Sequence, residues 1–91
     1  MLYPYAEFPG ELSVTYSQII KDPKMKNGEK IYVHFEKQTD FGFKEARYTL
    51  LDFNEVYNFD FTPSETQEIL NILKTNAPLI TECANDEKAS Y

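Results

Sequence analysis

The sequence predicts an α+β domain: a three-stranded antiparallel β-meander, one main C-terminal helix packed on one face, and short additional helical segments. Three observations lead there. Residues 12–51 repeatedly alternate apolar and polar side chains, the period-two signature of half-buried strands. Turn chemistry divides that region twice, at 21–30 and near 39–43. Beyond it, 62-TPSETQEILNILKTN-76 carries a helix start signal and an apolar stripe at helical spacing.

Residues 1–10 interleave aromatics with two prolines and end in Pro9-Gly10. Proline cannot donate to a ladder, so this is an extended arm or edge segment, held to the body by Tyr3, Tyr5 and Phe8. In 11-ELSVTYSQII-20, Leu12, Val14 and Tyr16 alternate with Ser13, Thr15 and Ser17, which predicts the first strand. The segment 21-KDPKMKNGEK-30 combines Asp-Pro and Asn-Gly with four lysines and reads as a long solvated hairpin loop. A second strand over about 30–37 puts Ile31, Val33 and Phe35 on one face and Tyr32, His34 and Glu36 on the other. A turn containing Gly42 leads to a third strand near 45–51, where Ala46, Tyr48 and Leu50 oppose Arg47, Thr49 and Leu51.

The next stretch, 52-DFNEVYNFDF-61, predicts a short helix or a turn-rich link. After it, Thr62, Pro63 and Glu65 form a Thr-x-x-Glu capping box with proline at the first helical position. Ile69, Leu70, Ile72 and Leu73 supply the apolar stripe, and Pro78 is expected to break or restart the helix. A second short helix over 77–84 would pack through Leu79, Ile80 and Cys83, and 85–91 reads as a frayed tail.

Composition bounds the function. Ninety-one residues make a single domain, and fourteen aromatics can supply a core without disulfide or metal. The lone cysteine cannot form an intrachain disulfide, and no apolar run reaches the roughly 18 residues of a membrane span. No positively charged amino-terminal flank precedes an apolar helix, so the chain is expected to be cytoplasmic. The net charge of −6 resides entirely in residues 48–91, where eight acids meet Lys74 and Lys88 alone. Such a surface repels phosphate backbones, which disfavours nucleic acid as a partner.

Few residues suggest chemistry. One histidine and one cysteine cannot provide the four ligands of a structural zinc site, so neither metal nor cofactor is expected. A Cys83–His34 nucleophile pair is arithmetically possible, but a late helical cysteine suits a small buried hydrophobe better. His34 falls out of phase with Ile31, Val33 and Phe35, so it belongs to the sheet's outer side, near Glu36 and Arg47. The residue types Tyr32, His34, Glu36, Arg47 and Thr49 on that side are those that anchor interfaces. Asp52, Glu55, Asp60, Glu65 and Glu68 form a second candidate, an acidic surface.

Several short runs carry a resemblance: Tyr5-Ala6-x-Phe8-Pro9, then Val14 and Ser17; Val33-x-Phe35-Glu36; Gly42-Phe43 with Ala46-Arg47; and Asn76-Ala77-x-Leu79-Ile80. In these the chain resembles a small bacterial family of unknown function and similar length. The resemblance implies a bacterial, intracellular setting and transfers no functional residue. The expected role is therefore a small acidic, non-enzymatic protein-interaction module, acting on a protein partner or on itself. One alternative is an antitoxin or anti-defence inhibitor that uses the acidic surface. Another is a small enzyme built on His34 with Cys83 or carboxylates.

Overall fold

Leu12, Val14 and Tyr16, then Ile31, Val33 and Phe35, then Ala46, Tyr48 and Leu50 are all buried, and they form one continuous apolar face. The face belongs to an antiparallel sheet in a computed structural model that describes residues 2–89, the side chains of 87–89 excepted. In chain order the elements are β1 (Leu2–Phe8), β2 (Leu12–Ser17), β3 (Ile20–Lys21), β4 (Glu29–Thr39), β5 (Gly42–Leu50), β6 (Asn54–Phe59) and α1 (Pro63–Ala89). The sheet has six strands in the order β1-β2-β4-β5-β6, with β3 also pairing with β4.

The class is α+β as expected, but the meander is larger than three strands. The expected strands are β2, β4 and β5; β1 and β6 close its two sides. β1 is the edge segment that its prolines require, paired to β2 from Leu2↔Ser17 to Phe8↔Leu12 with a register shift between Pro4 and Ala6. β6 replaces the expected helix or link at 52–61. Its alternation is hidden because the register shifts between Arg47 and Tyr48, leaving Val56 opposite no residue of β5. As an edge strand with an exposed margin it also tolerates Asn and Glu, which mask the usual composition.

Turn chemistry positions the strands. The 22–28 loop closes through Asp22 N–H to the Gly28 carbonyl at 2.8 Å, and Gly28 adopts φ +76°, a conformation that favours glycine. Lys24 N–H donates to Asp22 Oδ1, and Lys30 Nζ lies 2.9 Å from Asp22 Oδ2, so part of the lysine cluster is spent on the loop itself. Between Tyr16 and Ile20 the chain advances four residues while its β4 partners move only three, from Val33 to Lys30. Ser17 takes up the irregularity: its Oγ accepts from Tyr32 N–H at 2.9 Å and donates to the Gln18 carbonyl at 2.8 Å.

The capping box forms as the sequence predicts. Glu65 N–H donates to Thr62 Oγ1 at 3.1 Å, and Thr62 N–H donates back to Glu65 Oε1 at 3.0 Å. Lys44 Nζ donates to the same carboxylate at 2.8 Å, which ties the helix start to β5. From there α1 runs through Pro78 without breaking. Proline removes one intrahelical hydrogen bond, but Lys74, whose carbonyl loses it, and Pro78 are both on the exposed side. On the buried side Ile69, Leu73, Ala77, Ile80 and Ala84 lie against the sheet without interruption. That packing overrides the local break, so there is no separate second helix. Leu79, expected to pack, is exposed; Cys83 is partly buried against the core. The expected tail at 85–91 is helical to Ala89, and 90–91 lie outside the described residues.

The Lys44 ammonium and the Thr62 amide hold the Glu65 carboxyl at a pKa of about 2, below the ordinary 4.5. A carboxyl depressed in the folded state contributes stability above pH 4.5 and loses that contribution as pH falls toward 2. Glu65→Gln can keep the capping bond but loses the ion pairing with Lys44 and Lys37, so it is expected to cost about 0.2–1 kcal/mol at pH 7, by chemical denaturation. The variant should also lose less stability than the parent across the acid range, and an unchanged acid limb would contradict the assignment.

Candidate functional site: the outer face of the sheet

The side chains that alternate away from α1 form three cross-strand rows. The first is Glu7–Ser13–Glu36–Glu45–Phe59; the second is Pro4–Thr15–His34–Arg47–Tyr57; the third is Leu2–Ser17 and Tyr32–Thr49–Asn54, its two parts joined by the Tyr32 N–H bond to Ser17 Oγ. Beyond the first row, Gln38 pairs with Phe43 next to the hairpin tip. The period-two rule thus brings together all five outer-face residues named from the sequence: Tyr32, His34, Glu36, Arg47 and Thr49.

The face is drier than a solvated sheet surface. The His34 side chain is only 12% exposed. Tyr57 covers it edge-on with ring centroids 6.3 Å apart, its hydroxyl 3.3 Å from Nδ1. Nε2 lies 3.5 Å from Glu45 Oε2. Burial lowers the imidazole pKa from 6.5, and the neighbouring Arg47 charge lowers it further, while Glu45 and Glu36 oppose them. The ring is thus mostly neutral at pH 7, and its contact with Glu45 is then not an ion pair.

Arg47 lies between two rings, its guanidinium carbon 5.6 Å from the Tyr32 centroid and 5.7 Å from the Tyr57 centroid. Its Nε is buried without a hydrogen-bond partner among the described residues. Among the described residues no carboxylate lies within ion-pair distance of Arg47, and the planar cation is held by aromatic faces. Thr49 contributes differently from expectation: it is buried, and its hydroxyl donates to Asp52 Oδ1 at 2.6 Å, so it fixes the β5–β6 turn and is no contact residue.

Four side chains of this face, Tyr57, Glu45, Phe43 and Phe59, were not picked out by sequence reasoning. Tyr57 belongs to the strand misread as helix or link. Glu45 could have been found, because it shares the parity of Arg47 and Thr49. Phe43 and Phe59 lie on the same face and are exposed, and Phe41 at the hairpin tip is fully exposed. These phenylalanines, with Thr39, Lys44 and Asp60, line a shallow groove.

The acidic candidate does not assemble. Asp52 and Glu55 sit at the start of β6, engaged by Thr49 and Tyr48, whereas Asp60 and Glu65 sit beyond its far end. Glu65 is compensated by Lys44 and, at 3.8 Å, by Lys37; Glu68 stands exposed on the next turn of α1. The inhibitor reading rested on one patch of these five carboxylates and loses that support. Likewise His34 lies on the outer face while Cys83 packs on the helix side, so the sheet separates the two.

No protein family, curated protein or solved structure matches this chain. Among the described residues no helix is long and apolar enough to cross a membrane.

The balance around His34 can be measured by its ring-proton shifts. Its titration midpoint is expected below 6.5, and Arg47→Gln should raise it by removing the nearby cation. A parent midpoint above 6.5 would mean that Glu36 and Glu45 dominate instead.

Proposed function

We propose that the chain is a non-enzymatic protein-interaction module whose outer sheet face docks a protein partner. The observation that carries this reading is the exposure of Phe41, Phe43 and Phe59 beside the Tyr32–Arg47–Tyr57 stack. The helix already covers the other face, so these aromatics contribute nothing to the core. Large apolar side chains left in solvent next to tyrosine and arginine form the composition of an interface centre. The row beside them holds Glu7, Glu36 and Glu45, while Lys37 and Lys44 turn to the helix side toward Glu65. Together with a net charge of −6, this favours a partner surface that is apolar and basic.

A photo-crosslinking amino acid at position 43 or 59, in cells of the source organism, tests the docking face. The expected result is a discrete adduct from these positions, lost at raised salt and absent from position 67 on the exposed side of α1. Equal capture from position 67, or a crosslinked homodimer alone, would contradict the proposed partner. Phe43→Ser with Phe59→Ser should leave the fold intact, because both rings are exposed, and should abolish binding of the captured protein.

A further inference from the structure

We infer that His34, Glu36 and Glu45 form a site for a divalent transition-metal ion of the zinc class. The inference concerns the bare chain and does not rest on the docking role. The sheet register builds the site. His34 and Glu36 are two apart on β4, which puts them on one face, and Glu45 of β5 stands directly opposite Glu36 and diagonal to His34. One ligand atom from each residue lies within 4.8 Å of the other two. A point between three atoms so spaced is no more than about 2.8 Å from each, so small rotamer shifts reach the ~2.0–2.2 Å of zinc–nitrogen and zinc–oxygen bonds.

Three further features favour a cation there. Two carboxylates directly opposite one another on neighbouring strands repel. Neither Glu36 nor Glu45 has a lysine or arginine within ion-pair distance among the described residues, although Lys37 and Lys44 are their chain neighbours. An ion between them converts the repulsion into attraction. Secondly, Tyr57 engages Nδ1 of His34, which leaves Nε2 directed at Glu45 and lets the hydroxyl orient the ring as a supporting partner. Thirdly, Thr15, the cross-strand neighbour of His34 on β2, has a buried hydroxyl with no partner among the described residues. The floor beside the imidazole is therefore one polar contact short.

The donor set selects the metal class. One imidazole nitrogen with two carboxylate oxygens suits zinc, cobalt, nickel or manganese, whereas calcium takes six to eight oxygens. Three protein ligands leave at least one position for water or for a donor from another molecule. Spacing along the chain conceals such a site, because positions 34, 36 and 45 become neighbours only through the hairpin.

The test titrates Zn²⁺, and separately Co²⁺, into chelator-treated full-length protein. The expected result is one ion per chain at a Kd of roughly micromolar or below, a visible cobalt spectrum and a higher melting temperature with zinc. His34→Gln, Glu36→Gln and Glu45→Gln should each weaken binding at least tenfold, while Glu68→Gln and Cys83→Ser leave it unchanged. Without metal, Glu36→Gln should melt no lower than the parent, because it removes a like-charge pair, so its lost affinity cannot be unfolding. Binding weaker than millimolar, binding that survives all three substitutions, or binding abolished by Cys83→Ser would overturn the assignment.

Discussion

The structure depends on the burial of one sheet face under one helix. Val14, Phe35 and Ala46 form one apolar row and Tyr16, Val33 and Tyr48 the next, each aligned by the strand register. Ile69, Leu73, Ala77, Ile80 and Ala84 cover them from α1. Each fully buried large side chain contributes on the order of 1.5–3 kcal/mol, so no single polar contact in the molecule competes with this layer. Because side chains alternate strictly along a strand, burying one set fixes the orientation of the other. A slip of one residue would bring His34, Arg47 and Glu45 into the core, and the cost of burying their polar groups forbids it.

The same constraint explains why local signals are overruled where they are. Pro78 should stop a helix, yet the apolar stripe continues on its far side at Ile80 and Ala84, and the lost hydrogen bond falls where water reaches the chain. Tyr5 shows the reverse, a tertiary contact confirming a local oddity. The register shift in β1 accompanies a hydroxyl that donates to Asn76 Oδ1 at 2.7 Å, which ties the edge strand to the middle of α1. Burial raises the Tyr5 phenol pKa, and it raises that of Tyr48, bonded to Glu55, to about 12. Both hydroxyls remain protonated donors over the physiological range.

What could be read from the residues follows the strength of periodicity. The central strands were legible because β2, β4 and β5 bury every second side chain, and the helix start was legible because Thr62 and Glu65 satisfy each other locally. β6 was not, since a register shift and an exposed margin blur its alternation. The outer-face residues could be placed on the correct side, and the cross-strand pairing of His34 with Arg47 follows from the hairpin. Their surroundings could not be foreseen. The cover over His34 comes from Tyr57, twenty-three positions away in the strand that was missed. A polar face therefore turns out half-buried, with a guanidinium between two rings and two facing carboxylates. It is this departure from an ordinary wet surface that gives the face its functional interest.

Partition of the side chains between two faces is the claim on which both functional readings stand, and through-space proton contacts in solution test it most directly. The Phe35 and Tyr48 rings should show cross-peaks to methyl groups of Ile69, Leu73 or Ile80, while the His34 ring shows them to Tyr57 and to no methyl of the helix. Cross-peaks joining His34 to the helix, with Phe35 and Tyr48 lacking them, would mean that the strands are in the opposite register and that the outer face described above does not exist.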